Sequence, residues 1–216
     1  MNRFYILFFL TCVLATGQSY SQESKFNISV HTNLNKSSSS TGNVIGTNST
    51  MELKQFTITP RAVFRIDKVW AIGALYSYGN TVNRSHIIIP ELAQAYLDTK
   101  TIDQHAGVLV QTYLFDNGKF AAFLELDGTK GSSKTEIVPK DDFSILGTPT
   151  KSSLYSSAFH AGGRYTFFKG LGAEIRINRL VSYRHLRTKD FDTKVNHFDL
   201  FNNFWNEVSL GLSYQF

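Results

Sequence analysis

Residues 204–216 read FWNEVSLGLSYQF. Phe204, Val208, Leu210, Leu212, Tyr214 and Phe216 share one parity, and Trp205, Glu207, Ser209, Gly211, Ser213 and Gln215 share the other. A repeat of two marks a strand, whose successive side chains point to opposite faces. The stretch finishes on an aromatic ring, whereas a soluble domain usually finishes in a polar, frayed tail. A strand with one continuous apolar face needs an apolar neighbour, and the rest of the chain says which.

The opposite end begins Met1-Asn2-Arg3, followed by the apolar run Phe4 to Leu10 and then small residues at Ala15-Thr16-Gly17 and Ser19-Tyr20-Ser21. A positive start, a short apolar run and small residues are the three parts of a secretory signal peptide. The run falls short of the ~20 residues that a spanning helix needs. Residues 1–21 are therefore expected to be removed, with cleavage after Ser21 or Gly17, leaving 22–216 as one barrel domain. Cys12 is the single cysteine. It lies in the segment to be removed, and Thr11 before it disfavours lipid attachment. The mature chain then has no disulfide framework and no thiolate metal site.

Charge is mildly basic, +5 over 216 residues, and scattered. A nucleic-acid binder concentrates its cations, so no nucleic-acid partner is expected. No later run of 18 or more apolar residues is present, so no spanning helix is expected either.

Seven further stretches alternate like the last one: about 26–34, 52–66, 69–79, 102–115, 119–128, 154–168 and 170–183. The fourth alternates poorly: Ala106, Val108, Val110 and Leu114 form one face, yet Leu109 and Tyr113 fall on the other. Asp67-Lys68, Asp116-Asn117-Gly118 and Lys169-Gly170 carry hairpin chemistry. Long polar connections at about 35–51, 79–101, 129–153 and 184–203 alternate strictly with these turns. In a bilayer every backbone group must find an internal partner, so strands survive only in a closed barrel. Short periplasmic turns, long extracellular connections and an even strand count are its pattern in bacterial outer membranes. The reading is an all-β, eight-stranded antiparallel up-and-down transmembrane β-barrel with both termini in the periplasm. A secreted sandwich or lipocalin-like barrel would alternate too, but two features oppose it. Long and short connections alternate around the whole chain, and aromatics gather at the strand ends. Phe26, Phe64, Trp70, Phe120, Phe167 and Phe216 fall at the short-turn end, and Tyr76, Tyr78, Tyr155, Tyr183 and Phe204 at the other.

With the apolar face outward, the other face lines the lumen. Its charged members are Arg61, Arg65, Arg164 and Arg176 against Glu125, Asp127, Glu174 and Glu207. Eight strands leave an interior that side chains fill. Charges in so narrow a space must pair, so a salt-bridged plug with trapped water is expected. A small low-conductance porin is the alternative, and a pair such as Glu125–Arg164 that exchanges partners would make it a gated one. Arg179 breaks the outward apolar row near the outer leaflet, where it would snorkel or meet a lipopolysaccharide phosphate.

Signals for other chemistry are weak. The histidines 31, 86, 105, 160, 185 and 197 form no HxxxH pair, so no metal is expected. No phosphate loop or G-x-S-x-G elbow occurs, and no cofactor is expected. A barrel enzyme acting on lipid A or phospholipid would need an activated serine beside a histidine. Ser156 and Ser157 near His160, and His197 before Asp199, are the sole candidates. His160 points inward by parity, and the His197 segment lacks the serine that small outer-membrane lipid A deacylases carry just after their histidine. The chain is read as a non-enzyme. Binding falls to the long connections. These are the mobile Ser37-Ser38-Ser39-Ser40-Thr41-Gly42, the apolar His86–Ala93, and the last one, which mixes Arg184, Arg187, Lys189 and Lys194 with Phe191, Phe198 and Phe201.

The ending Ser209-x-Gly211-x-x-Tyr214-x-Phe216 resembles the C-terminal signal of bacterial outer-membrane barrels. With the eight-strand layout it resembles the small outer-membrane β-barrel family that includes the OmpA transmembrane domain and OmpX-like proteins. The likeness covers the whole mature chain in architecture and the last eight residues in motif. It implies that the barrel-assembly machinery reads Gly211, Tyr214 and Phe216 during insertion. It also implies outer-membrane lipid and lipopolysaccharide as neighbours, and a job as anchor, adhesin, surface-defence factor or small porin. A peptidoglycan-binding domain like that of full-length OmpA is not expected. The overall expectation is a monomeric surface protein acting through four extracellular loops on an extracellular ligand or host surface.

Overall fold

The computed structural model describes residues 25–42, 48–89, 93–139, 149–188, 193–201 and 208–216. The expected signal peptide, Phe204 and Glu207 lie outside them. The strands are β1 (Phe26–Gly42), β2 (Asn48–Arg65), β3 (Trp70–Ile89), β4 (Ala93–Asp116), β5 (Phe120–Pro139), β6 (Thr150–Phe168), β7 (Leu171–Thr188), β8 (Thr193–Leu200) and β9 (Val208–Gln215). Each strand from β1 to β7 pairs antiparallel with the next. β8 pairs with the far half of β7 and β9 with its near half. These two therefore share one stave, and the barrel has eight staves.

β9 closes it. Tyr214 faces Ile28 of β1 on one side and Leu171 of β7 on the other. The pairing is sheared: the ladder followed from Ile28 through β2 to β6 reaches β7 at Tyr183, not at Leu171. A sheet can close only with such a stagger, which comes from strand tilt. The last two amides hold both seams, Gln215 N–H donating to Gly170 O and Phe216 N–H to Phe26 O, each at 2.9 Å.

The turns form where the sequence places them. Asp67 Oδ1 accepts from the N–H groups of Val69 and Trp70, both at 2.7 Å. Those bonds, Trp70 first, hold its carboxyl below the usual carboxylate range. Their contribution is present above the unfolded pKa and is lost as pH falls through the lower folded value. Asn117 Oδ1 caps Lys119 and Phe120, and Lys169-Gly170 turns at positive φ in both residues.

The connections at the other end depart from expectation. Most of 35–51, 79–101, 129–153 and 184–203 is strand, carried on past the apolar band. Above a membrane both faces meet water, so the apolar alternation stops although the backbone ladder continues. Outward positions there carry a charged cross-strand ladder, in which Lys36, Lys54 and Arg84 surround Glu52 and Arg84 also reaches Asp98.

The barrel is inverted relative to a soluble one. Leu210 and Leu212 are each 63% exposed, and Val30, Phe64, Trp70, Ile72, Leu126 and Ile175 are exposed too. Arg61, Glu125, Arg164, Glu174 and Arg176 are buried. Aromatic rings mark both rims of the exposed band, Phe26, Phe64, Trp70, Phe120 and Phe167 at the short turns and Tyr76, Tyr155 and Tyr183 toward the far end.

Gly211 has a packing role. A Cβ there would lie 2.9 Å from Nδ1 and Cε1 of the His31 ring. Gly211→Leu is expected to lower the folded, heat-shifted fraction on a gel. Gly163→Ala, whose Cβ would meet nothing nearer than 3.6 Å, is expected to leave it unchanged.

Candidate functional site

The lumen is the most organised part of the molecule. Nearest the short turns, Arg65 Nη2 donates to Asp116 Oδ2 at 2.6 Å and stacks 4.0 Å over the Tyr113 ring. Arg164 approaches the same carboxylate at 3.5 Å. With its amide oxygen turned inward, Gln215 accepts from Arg164 at 2.7 and 3.2 Å. Asp116, which the sequence assigns only to a turn, thus anchors two guanidiniums. The expected Glu125–Arg164 pair does not form, because Arg164 is committed to Asp116.

Further in, Glu125 is 1% exposed and accepts from Arg61 Nη2 and from Arg176 Nη2, the latter at 2.6 Å. Glu174 accepts from His31 Nε2–H at 2.8 Å and from Asn27 Nδ2 at 3.2 Å, with Arg61 3.6 Å away. Asp127 accepts from His160 Nε2–H at 2.9 Å and lies 3.6 Å from Arg176. Four guanidiniums thus meet four carboxylates with two imidazoles between them. Such pairing is what makes buried charge tolerable. Sequence parity placed these arginines and, Asp116 excepted, these acids on the lumen face. It put His31 and His160 on the same face without assigning them partners.

An apolar cluster lies beside the ions: Val63, Ala71, Leu75, Leu109, Tyr113, Ala121 and Phe123. The salt-bridged plug expected from sequence left it out. Its signal was the failed alternation of the fourth stretch, where Leu109 and Tyr113 fall on the inner face. Tyr113 and Phe123 meet edge to face at 6.3 Å.

Arg179 is a correction. Ile177 faces Ala161 and Val181 faces Phe159, so β7 carries two more residues than β6 across this interval. The excess bulges, Arg179 takes φ +52°, and its N–H donates to His160 Nδ1 at 3.1 Å. The residue lines an interior cavity instead of the lipid-facing wall. Two extra residues preserve parity, so the inside and outside rows of β7 resume unchanged beyond it.

That cavity, about 150 Å³, sits on the loop side of the network and is lined by His31, His105, Asp103, Asp127, Arg176 and Arg184 among others. It has room for several waters. Glu125, Asp127 and His160 bring ligand-type atoms within 4.8 Å of one another. Two arginines already occupy Glu125, which disfavours a metal cation there. Both nitrogens of His160 are engaged as well, leaving no base for Ser156 or Ser157. His197 bonds Asp199 at 2.9 Å in an exposed hairpin. Side chains of 86–97 and residues 90–92 lie outside the description, and so does the expected apolar loop contact.

An exposed apolar band, a sheet with no free edge across it, and a lumen filled with paired charge fit one environment. This is the architecture of the small outer-membrane β-barrels. Its place is the bacterial outer membrane, where backbone closure and inverted polarity are both required.

No family model and no curated relative matches the chain. The attachment invasion locus protein Ail of Yersinia pestis is 17% identical, with 90% of this chain and 100% of that one covered and a TM-score of 0.40. Neisserial surface protein A is 13% identical over 88% and 97%, at 0.42. OprG of Pseudomonas aeruginosa is 14% identical over 91% and 98%, at 0.43. These TM-scores lie below 0.5, and the barrel's own pairing and polarity carry the assignment.

Removing Glu125 takes from buried Arg61 and Arg176 their shared carboxylate and leaves each only a 3.6 Å approach, to Glu174 and Asp127 respectively. Glu125→Ala is expected to cost about 3–5 kcal/mol in reversible urea unfolding from lipid vesicles. Glu52→Gln, on the exposed ladder, is expected to leave the transition in place.

Proposed function

We propose that the protein is a non-enzymatic surface barrel with a closed lumen, presenting its strand extensions outside the cell as the working surface. The observation that carries this reading is the filled lumen. Phe123, Leu109 and Glu125 are all at most 2% exposed, and the charges around them are paired. A steady conductance would need this cluster to come apart. Eight-stave barrels are narrow enough for side chains to fill, so the packed interior suits an anchor.

The working surface is large. β1 to β7 carry ordered strand well past the apolar band, and the Ser37–Ser40 edge and the β7–β8 hairpin are exposed. Rigid strand extensions hold side chains in fixed geometry, at less ordering cost on binding than a loose loop. The barrel inserts as a monomer with Gly211, Tyr214 and Phe216 as the assembly signal, and no catalytic step is assigned to it.

Purified barrel in a planar bilayer is expected to give no steady conductance. Replacing 36–54 by a short turn is expected to keep the heat-shifted folded form while abolishing cell-surface binding or aggregation. A stable large conductance in the unaltered barrel would overturn the closed-anchor reading.

A further inference from the structure

On the loop side of the charge network the strands have two unlike faces. Outward positions there carry Glu52, Lys54, Arg84, Lys100, Lys134 and Lys151. Inward positions at 51–59 of β2, 79–85 of β3, 99–101 of β4, 129–135 of β5 and 152–158 of β6 carry no charge. They are chiefly threonine, serine, asparagine and glutamine. Hydroxyls on this inner face bond across strands: Thr59 with Ser77 at 3.0 Å, Thr101 with Thr135 at 3.1 Å, and Ser152 with Thr188 at 2.8 Å. A narrow bore does not by itself exclude charge, because the same lumen accommodates paired arginines and acids lower down. Among the described residues, inward charge at the level of these hydroxyls is confined to the β7–β8 side, with Arg184 and Asp199.

This hydroxyl-lined bore ends on the cavity of about 150 Å³, whose wall includes Asp103, Asp127 and Arg176. Three polar atoms of the lining side chains have no protein partner: Ser209 Oγ, His105 Nδ1 and Arg176 Nε. Ser209 and Arg176 are both buried, and a buried polar atom left unpaired is costly. Leu75, Leu154 and Ala158 give the wall an apolar part. An apolar cavity of this volume holds a six-membered carbon ring; here the ring must also bring hydrogen-bonding groups. A hydroxyl both donates and accepts, so a polyol serves carboxylate, guanidinium and imidazole at once. An ion of either sign would meet groups of its own charge in the cavity. It would also shed water in a bore that offers no counter-charge from β2 to β6.

We propose that this cavity binds a neutral monosaccharide that enters from the extracellular side. Asp103 and Asp127 accept from its hydroxyls, and Arg176 Nε–H and the Ser209 hydroxyl donate to its oxygens. Leu75 and Leu154 meet its C–H surface. The site lies above the charge network and needs no passage through it, so the proposal does not depend on whether the lumen conducts.

The test uses the folded full barrel in phosphatidylcholine nanodiscs, titrated by ligand-observed NMR. The probes are glucose, galactose and mannose, each beside its own uronate and its own 2-amino sugar. At least one neutral hexose is expected to bind with a Kd of about 1 mM or tighter, and at least about tenfold tighter than its two charged counterparts. A Cβ at Gly79 would meet nothing nearer than 3.6 Å, at Asp103 and Thr57, so Gly79→Leu fits the wall and fills the cavity. It is expected to abolish binding, and Asp103→Ala to weaken it at least about tenfold. Lys100→Gln, on the outward face, is expected to change nothing. Heat-shifted mobility reports that each variant is folded, and Asp103→Ala carries the comparison if Gly79→Leu does not fold. No hexose binding at this strength, which leaves the cavity to water alone, would overturn the proposal. So would charged counterparts that bind within tenfold, or cavity variants that bind like the unaltered barrel. A silent barrel that binds no hexose refutes the sugar site alone; a conducting barrel that binds one as described refutes the closed anchor alone.

Discussion

A backbone amide surrounded by hydrocarbon can bond only to another backbone group. That constraint accounts for most of the fold. It requires β9 to pair on both sides, with β1 and with β7, and it fixes the stagger that lets the sheet close. Among the described residues β1 pairs with β9 from Asn27 to Thr32 and with β2 from Phe26 to Gly42.

Closure around eight staves then sets the chemistry of the interior. The lumen admits side chains but little solvent, so every buried charge must meet its opposite. The network succeeds because its carboxylates are shared: Glu125 takes two arginines, Asp116 takes two, and Glu174 takes His31 beside Arg61. Around the same ions, Ser209, Gly211 and Ser213 are small because the lumen side of β9 is already occupied. Gly211 in particular lies flat against His31. Part of the C-terminal pattern is therefore a packing requirement of the finished barrel.

Much of this was legible in the chain. Period two held where one face met lipid and the other a polar part of the lumen, which is why Leu210, Leu212 and Tyr214 declared the last strand and Arg61, Arg176 and Glu174 declared the lumen. The rest was not legible, for four physical reasons. Strand past the bilayer has no apolar face, so β1 beyond Leu34 and β3 beyond Gly79 read as loop. A bulge conceals itself when it inserts two residues, because parity survives; Arg179 was thereby turned inward without disturbing Ile177 or Val181. Partner choice depends on depth and angle, which alternation does not encode. Glu125 could be placed inside, but not assigned to Arg61 and Arg176 over Arg164. Leu109 and Tyr113 stood on the wrong face of the sequence pattern because the lumen has an apolar side.

The inverted polarity of the wall is the claim on which all of this stands, and its most direct measurement is a nitroxide scan along β5. Single cysteines at 121 to 126 would carry the label in the reconstituted barrel, with collision rates read against oxygen, which favours lipid, and against a water-soluble nickel chelate. Labels at Ala122, Leu124 and Leu126 should collide with oxygen and evade nickel, and labels at Ala121, Phe123 and Glu125 should be shielded from both or fail to enter the folded barrel. The opposite phase, with 122, 124 and 126 shielded and 121, 123 and 125 open to nickel, would show a soluble core where the account places lipid.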